Sequence, residues 1–426
     1  MASRHIFERL AASVAAMLLT SMIWGGVAEA ETLKFISFQK DESGVGDWHA
    51  AVIKEFEATH PGVKIEFTKV EQPVYADTMT TLFASGSPPD IVHLAAFDFP
   101  KIADNGWLEP LDANIKASGL DLNGWAGQEK CKWKGQTYCV MALYFGFFLA
   151  YNDALLQEAG VKIPTNYAEW LDAVRKTTKR AGGVTTQFGT GHETGAGTGW
   201  YLTEMLNYMF DTEAFWTNAK GELTLNTPQM IEALIRWKTI NREKVMPIDP
   251  KPGDTRLLFT DGKIAMKVDG PWLIPIIQQA KPEIRQHIKL ALAPFHPPVG
   301  GSSNSLAIAH DIPESHKKLA WDYLKIAASD KFQTLYGTLG QSLPSSPRAD
   351  TNEPEKKNPY FATLIAAQRE ASKAGVDRIP PGLERQYGEF AKMITEESQR
   401  MIINDLDPAA VAATMQKKAI DIQKGG

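Results

Sequence analysis

Between residues 32 and 95 the chain alternates strand patterns with helix patterns, and this alternation restricts the fold more than any other feature. The strand patterns are short apolar or alternating runs such as LKFISF and KIEFTKV, whereas the helix patterns repeat apolar residues every three or four positions. The order along the chain is strand 32–38, helix 48–57, strand 63–70, helix 75–84 and strand 91–95. Such an order requires parallel strands joined by crossover helices, so we predict an α/β fold.

The length of the chain indicates more than one domain. A chain of 426 residues exceeds what a single hydrophobic core usually organises, so two domains are expected. Apolar residues make up 44% and charged residues 22%, as in ordinary soluble globular proteins. The net charge of −5 has the wrong sign for neutralising phosphates, so no nucleic-acid partner is predicted.

The N-terminus has the pattern of a targeting segment. Arg4 and Arg9 supply positive charge, residues 10–24 are almost free of polar side chains, and Ala28-Glu29-Ala30 fits the small-x-small cleavage pattern. We predict a secretory signal peptide over residues 1–30 that is cleaved near Ala30, which places the mature protein in the periplasm. A single uncleaved membrane anchor is the alternative.

The two cysteines, Cys131 and Cys139, lie in the segment CKWKGQTYC. Lys134-Gly135 stands at its centre, where a hairpin turn would bring the two thiols opposite each other. Because an exported protein meets oxidising conditions, we predict a disulfide between them. Two buried free thiols are the alternative.

The sequence carries no motif typical of a catalytic or cofactor site. The sequence has no G-x-G-x-x-G after a strand, no H-E-x-x-H and no G-x-S-x-G, and Gly262-Lys263 lacks the Ser or Thr of a phosphate-binding loop. His310 and His316 flank a proline turn and are expected at the surface rather than on a metal. A hydrolase pair such as Asp90 with Asp269 has no spacing to support it. We therefore predict no enzyme, no cofactor and no metal.

Five segments, in this order along the chain, are typical of one family. They are FEATHPGVKIEF (56–67), LFASGSPPDIVHL (82–94), KGQTYCVMALYFGFFLAYN (134–152), FTDGKIAMKVDGPW (259–272) and PPVGGSSNSLAI (297–308). Together they resemble the extracellular solute-binding proteins of bacterial sugar ABC importers, the group that includes the maltose-binding proteins. The resemblance covers most of residues 32–345, and the C-terminal third is similar only in its helical character.

The resemblance implies a two-lobed periplasmic-binding-protein fold of the type II kind. Each lobe would be a mostly parallel sheet flanked by helices, and the ligand would lie in the cleft between the lobes. Carried onto this chain, the N-terminal lobe spans 31–140 plus 303–345 and the C-terminal lobe spans 145–298 plus 348–426. Hinge crossings are expected near 140–146, 298–305 and 344–348.

Trp272 is the first candidate for ligand binding. The alternation Ile264–Val268 predicts a strand, Gly270-Pro271 a turn, and Trp272 then follows at the strand end. In open α/β sheets ligands bind beyond the carboxyl ends of strands, and an indole can cover the apolar face of a sugar ring. The resemblance implies that Trp272 of this G-P-W segment stacks on the sugar; a core tryptophan is the alternative.

Most of the other candidates follow strand ends or lie at the expected crossings. Tyr75 instead precedes the second helix at its cleft end, and Trp200 ends the Gly- and Thr-rich loop GTGHETGAGTGW, for which a plain surface loop is the alternative. Arg385 comes from the C-terminal part, where the resemblance is poor, and a solvated arginine is its alternative. The full set of predicted ligand-binding residues is Phe38, Lys40, Asp41, Tyr75, Phe97, Asp98, Tyr144, Phe145, Trp200, Gly270, Trp272, Gly301, Ser302 and Arg385. Maltose-binding proteins carry a charged pair near the position of Phe97-Asp98, so a different sugar is expected here. Four tryptophans at helical spacings are instead predicted to lie in the core, namely Trp48, Trp170, Trp237 and Trp321.

The function that the resemblance implies is capture rather than catalysis. The protein would be the substrate-binding subunit of an ABC importer, holding a sugar or oligosaccharide and delivering it to the membrane permease. Members of the family are usually monomers, so a monomer is expected. The alternatives are a binding protein for a polyol, glycerol phosphate or polyamine, and a secreted enzyme that acts on glycans.

Overall fold

The computed structural model describes residues 31–95, 98–195, 198–250, 253–339, 343–374 and 378–425. The predicted signal segment 1–30 lies outside these residues, and so does Phe97. No helix in the described part of the chain is both long enough and apolar enough to span a bilayer.

The strands and helices alternate along most of the chain. The strands are β1 Glu31–Ser37, β2 Val63–Lys69, β3 Ile91–Leu94, β4 Lys132–Trp133, β5 Gln136–Thr137, β6 Cys139–Gly146, β7 Phe148–Asn152, β8 Lys179–Ala181, β9 Val184–Gln187, β10 Met266–Asp269, β11 Ile288–Leu292 and β12 Gly300–Ile308. The helices are α1 Val45–Thr59, α2 Gln72–Ala84, α3 Phe99–Asp104, α4 Asp112–Ser118, α5 Asp153–Glu158, α6 Tyr167–Thr177, α7 Thr198–Asp211, α8 Pro228–Arg242, α9 Asp254–Thr260, α10 Leu273–Gln279, α11 Pro282–Arg285, α12 Glu314–Ala327, α13 Asp330–Leu339, α14 Asn352–Lys357, α15 Phe361–Ala374, α16 Tyr387–Ile403 and α17 Pro408–Lys424.

The first lobe is built on a five-stranded sheet with the order β2-β1-β3-β12-β6. Strands β1, β2 and β3 are parallel, as the strand-helix alternation predicts. Strand β12 returns from the second lobe and lies antiparallel between β3 and β6. Helix α1 packs on this sheet through Trp48, Val52 and Phe56, which are fully buried at the predicted helical spacing.

The second lobe contains a three-stranded sheet with the order β10-β7-β11. The two-lobed α/β fold is confirmed, but both neighbours of β7 are antiparallel to it, so the prediction of a mostly parallel sheet is wrong for this lobe. The reason is the direction in which β7 enters the second lobe. Strand β7 continues from β6 with only Phe147 between them, so it runs away from the junction, whereas β10 ends beside the start of β7, with Asp269 opposite Phe148.

A group of helices completes the second lobe, with α7, α8, α16 and α17 packed together. Helix α8 begins as predicted, because the Thr227 side chain accepts a hydrogen bond from the Met230 amide and Pro228 occupies the first turn. Trp170 and Trp237 are fully buried in this lobe, and Trp48 and Trp321 are buried in the first. The prediction that these four tryptophans belong to the core is confirmed.

The two sheets meet at a pair of glycines beneath helix α15. Gly146 at the end of β6 pairs with Gly300 at the start of β12. A Cβ atom on Gly146 would lie 2.0 Å from the Ala367 carbonyl oxygen, and one on Gly300 would lie 2.4 Å from the Ala371 Cβ. Only glycine therefore lets α15 pack this closely over the junction. The lobe limits and crossing positions expected from the sequence stay predictions.

The disulfide between Cys131 and Cys139 is present, which confirms its prediction. It joins the two ends of a short hairpin formed by β4 and β5. Lys134 and Gly135 form the turn, both with positive φ, as two-residue hairpin turns require. We refer to residues 131–139 below as the disulfide hairpin.

Candidate ligand-binding cleft

A cavity of about 470 Å³ lies between the two sheets. Phe38 and Asp41 from the loop after β1 line one wall, and Trp200 and Trp272 from the second lobe line the other. Phe145, at the end of β6, forms part of the floor. The cavity therefore lies beyond the carboxyl ends of β1 and β10, where ligands bind in open α/β sheets.

Trp272 is half-buried and its indole is fixed on several sides. Its Nε1 donates a hydrogen bond to Asp269 Oδ1 at 2.6 Å. Its ring meets Phe145 edge to face at 4.8 Å and Trp200 at 5.5 Å between centroids. A Cβ atom on Gly270 would lie 2.4 Å from the indole carbons, so the absence of a side chain there makes room for the ring. Gly270 thus leaves the space that the Trp272 ring occupies, and its own role in ligand binding stays a prediction.

Asp269 organises the wall around Trp272. Its carboxylate is 2% exposed and accepts hydrogen bonds from Arg256 Nε at 2.8 Å and from the Gly270 amide at 2.8 Å, besides the indole. Lys267 Nζ lies 3.5 Å away. Burial by itself raises the pKa of Asp269, but Arg256 and Lys267 outweigh it and hold the pKa below its usual value. The carboxylate is therefore ionised and keeps two cations and an indole in place.

The charges extend deeper into the lobe as a network. Lys267 Nζ lies 3.9 Å from Glu204, whose carboxylate lies 2.8 Å from His192 Nδ1. His192 Nε2 in turn contacts the Tyr208 hydroxyl at 2.7 Å. Burial by itself raises the pKa of Glu204, but His192 and Lys267 outweigh it, so this pKa is also lowered. Lys267, Glu204, His192 and Tyr208 are all buried, and their contacts join β10 to helix α7.

Arg256 connects the network to the aromatic wall. Its guanidinium carbon lies 5.2 Å from the centre of the Trp200 ring and 5.7 Å from that of Trp272, within the range of cation–π interactions. Burial by itself lowers the pKa of Arg256, but Asp269 and Glu193 outweigh it and raise the pKa. The positive charge is therefore permanent and already has carboxylate partners.

The sequence did not predict this network. A strand pattern read as apolar, IAMKV, concealed that Lys267 points into the lobe with 1% of its surface exposed. A lysine inside a buried strand is itself a signal, because such a charge is seldom buried without a partner. Its partners could not be found in the same way, since Glu204 and Arg256 come from other parts of the chain.

The predicted site residues fall into four groups. The residues that line the cavity are Phe38, Asp41, Phe145, Trp200 and Trp272. Tyr144 and Gly301 line a second cavity of about 340 Å³, in which residues of β6 and β12 face the disulfide hairpin and the segment 378–384. Trp200, expected at the end of a loop, lies in the first turn of α7. Phe97 and the side chain of Ser302 lie outside the described residues.

The remaining predicted residues line neither cavity; they are Lys40, Tyr75, Asp98, Gly270 and Arg385. Lys40 is exposed and donates to the Phe67 carbonyl at 2.6 Å. Tyr75 is buried in the first lobe, and its hydroxyl donates to the His93 carbonyl at 2.7 Å. Asp98 stands before α3, where burial raises the pKa of its carboxyl to about 7 although Lys101 opposes the shift. Arg385 pairs with Asp104.

Two cavity residues that sequence reasoning missed are Gln39 and Glu42. Gln39 is 3% exposed, and its Oε1 has no hydrogen-bond partner among the described residues. Burial raises the pKa of Glu42, although Gln39 and Arg256 oppose the shift. The signal was available, because both residues stand in the same loop after β1 as the predicted Phe38 and Asp41.

The described residues contain no group of three His, Cys, Asp or Glu side chains that could hold a metal ion. The site is thus a cavity with aromatic walls, a loop of hydrogen-bond acceptors and a fixed charge network behind it. Such a cavity is suited to holding a small polar molecule with apolar faces.

Comparison with known proteins identifies the family of this chain. The sequence profile of the bacterial extracellular solute-binding proteins matches residues 41–334. The chain belongs to this family. A curated relative of this solute-binding protein, named as a binding protein of Brucella abortus, is 24% identical over 395 residues, which span 89% of this chain and 90% of that protein.

Two solved structures share the fold of this solute-binding protein. An ABC transporter solute-binding protein of Thermotoga lettingae, bound with α-D-tagatose, matches with a TM-score of 0.76 and 23% identity over 92% of this chain and 100% of that chain. A second one, from Agrobacterium radiobacter in complex with ribitol, matches with a TM-score of 0.78 and 19% identity over 93% and 99%. At these sequence identities the similarity is evidence for the fold alone.

Proposed function

We propose that this solute-binding protein captures a neutral sugar or polyol in the cavity between its lobes and delivers it to the permease of an ABC importer. The observation that carries the proposal is the pair of indoles, Trp200 and Trp272, which line one wall opposite Phe38. Aromatic faces cover the apolar face of a sugar ring and leave its hydroxyls to polar neighbours. The protein would act after export, as a monomer and without a cofactor.

The polar residues of the cavity support a ligand that donates hydrogen bonds. Gln39 Oε1 has no partner among the described residues, and the half-buried carboxyl of Glu42 lies in the same loop. Both accept hydrogen bonds from hydroxyl groups. Arg256 already pairs with Asp269, so an anionic ligand gains less from it. The relatives of known structure that hold tagatose and ribitol bind molecules of this class.

Capture follows from the hinge arrangement that we propose. The lobes exchange between open and closed positions about the junction at Gly146 and Gly300. A ligand that contacts both Phe38 and Trp272 makes all its contacts only in the closed form, so it shifts the population towards closure. The closed form would be the one that docks on the permease.

A second candidate is a phosphate-bearing polyol such as glycerol phosphate. The observation in its favour is Arg378, which lines both cavities and donates to Thr203 Oγ1 at 2.5 Å. Burial lowers the pKa of Arg378, so an anion beside it would offset the desolvation of its charge. We place this candidate second because Lys69, another cation of the cavity, is paired with Asp41 and Glu71.

Thermal-shift screening of the purified protein separates the candidates. The panel contains monosaccharides, short oligosaccharides, polyols, sugar phosphates and polyamines at millimolar concentration. We expect at least one neutral sugar or polyol to raise the Tm by several degrees, because ligand binding to the folded state stabilises it in proportion to the logarithm of concentration over Kd. Stabilisation by sugar phosphates or polyamines alone would contradict the proposal.

A further inference from the structure

Asp104, at the end of α3 in the first lobe, joins the two lobes at a point outside the cavity. Its carboxylate accepts hydrogen bonds from Trp133 Nε1 at 3.1 Å and from Lys134 Nζ at 2.6 Å, both on the disulfide hairpin of the same lobe. The same carboxylate accepts a hydrogen bond from Arg385 Nε, and Arg385 also donates to the Asp104 carbonyl at 3.2 Å. Arg385 lies two residues before α16 of the second lobe, with Gln386 between them.

We propose that Asp104 and Arg385 form an interlobe latch that stabilises the closed arrangement and slows the release of ligand. The latch rests on the proposed function only in its effect on ligand release; its effect on the lobes is independent of any ligand. We use the term latch for Asp104, Trp133, Lys134 and Arg385 together.

The position of the latch supports this role. Trp133 and Glu384, the chain neighbours of Lys134 and Arg385, line the second cavity, where β6 and β12 meet the segment 378–384. The latch therefore sits at the rim of that cavity, where the lobes separate when the hinge opens. Opening must break the contacts of Arg385 and leave those of Lys134 intact, because only Arg385 comes from the second lobe.

The first-lobe half of the latch is held in place before the lobes meet. The disulfide joins Cys131 to Cys139, so the turn that carries Trp133 and Lys134 is fixed at both ends. Lys134 and Trp133 hold the Asp104 side chain, of which 11% is exposed, in a single orientation. Arg385, with 57% of its side chain exposed, is the mobile partner. A fixed acceptor loses less entropy when it binds the arginine than a free one would.

The charge of Asp104 is suited to this use. Hydrogen bonding from Lys134 is the main cause that lowers the pKa of Asp104, burial opposes it, and Arg385 and Trp133 lower the pKa further. The carboxylate therefore stays ionised at neutral pH. An exposed arginine at its edge contributes a modest free energy that salt reduces, which suits a contact that must open in every transport cycle.

The test measures the distance between the lobes without ligand. Spin labels are attached to cysteines that replace the exposed Lys116 and Lys220, one on each lobe, and double electron–electron resonance gives the open and closed populations. We expect Arg385→Ala to raise the ratio of open to closed molecules about five-fold at low salt. A five-fold ratio corresponds to about 1 kcal/mol, the upper end of the free energy that a partly exposed ion pair contributes. High salt should bring the unmutated protein towards the variant.

Arg385→Ala is expected to fold, because Asp104 keeps Lys134 and Trp133 as partners. Arg175→Ala is the matched control, since Arg175 pairs with Glu243 through two bonds at 2.8 and 2.5 Å within the second lobe. The control should leave the distance distribution unchanged. Equal distributions for Arg385→Ala and the unmutated protein would overturn the latch, whatever the sugar panel shows.

A second readout uses the neutral ligand that gives the largest thermal shift. Arg385→Ala should raise its dissociation rate about five-fold in stopped-flow measurements and leave the association rate nearly unchanged, since the lost contact forms after encounter. An unchanged dissociation rate would contradict the effect on release. If no ligand of the panel binds, the proposed function fails, but the ligand-free distances still decide whether the latch exists.

Discussion

Asp269→Ala should destabilise the unliganded protein by about 3–5 kcal/mol, the range typical of removing one partner from a buried ion pair. The substitution removes the nearest carboxylate of Arg256, at 2.8 Å, and of Lys267, at 3.5 Å. Only the more distant Glu193 and Glu204 remain, at 3.7 Å from Arg256 and 3.9 Å from Lys267. It also removes the acceptor for the Trp272 indole and the Gly270 amide. Scanning calorimetry should record a drop of several degrees in the Tm.

Asp153→Ala is the matched control for this prediction. Asp153 pairs with His287 in the same lobe at 2.8 Å, but both side chains are about two-fifths exposed, at 42% and 41%. Exposed pairs contribute at most about 1 kcal/mol, so this variant should lose little stability. If Asp269→Ala loses no more than Asp153→Ala, the network does not stabilise the second lobe in the way described.

Trp272→Ala should weaken the binding of the best neutral ligand at least ten-fold, equivalent to about 1.4 kcal/mol. The reason is the loss of an indole that lines the cavity and is fixed by Asp269 and Gly270. Because the ring is only half-buried, the Tm of the unliganded protein should fall less than in Asp269→Ala. Isothermal titration calorimetry measures the affinity and scanning calorimetry the stability.

Trp107→Ala is the control for the loss of an indole. Trp107 is also half-buried and stacks on Phe83 with 5.1 Å between ring centroids, but it does not line the cavity. This variant should lose stability and keep its affinity. The same outcome for Trp272→Ala, a large loss of stability with unchanged affinity, would assign Trp272 to the core.

The sequence was sufficient for features that depend on local pattern. The strand-helix alternation of residues 32–95 predicted the parallel half of the first sheet, and helical spacing predicted the burial of Trp48, Trp170 and Trp237. Export together with the central Lys134-Gly135 predicted the disulfide. Each of these features requires only neighbours in the chain and ordinary turn chemistry.

The remaining features depend on contacts between distant segments. The antiparallel second sheet follows from the entry of β7 at the junction, which no local pattern records. The charge network brings together Glu204, Arg256 and Asp269 from three separate elements, and its position is visible only in the folded lobe. Tyr75 was predicted at the cavity by its place before a helix, yet its hydroxyl is directed at the backbone of β1 and β3.

A crystal structure of the protein with the best neutral ligand of the panel is the most direct test of the central claim, that a sugar or polyol is held between the lobes against Trp272. We expect the apolar face of the ligand to lie about 4 Å from the Trp272 indole, the distance of ordinary contact, with hydroxyls directed at Gln39 and Glu42. A ligand bound elsewhere, with Trp272 untouched, would contradict the claim.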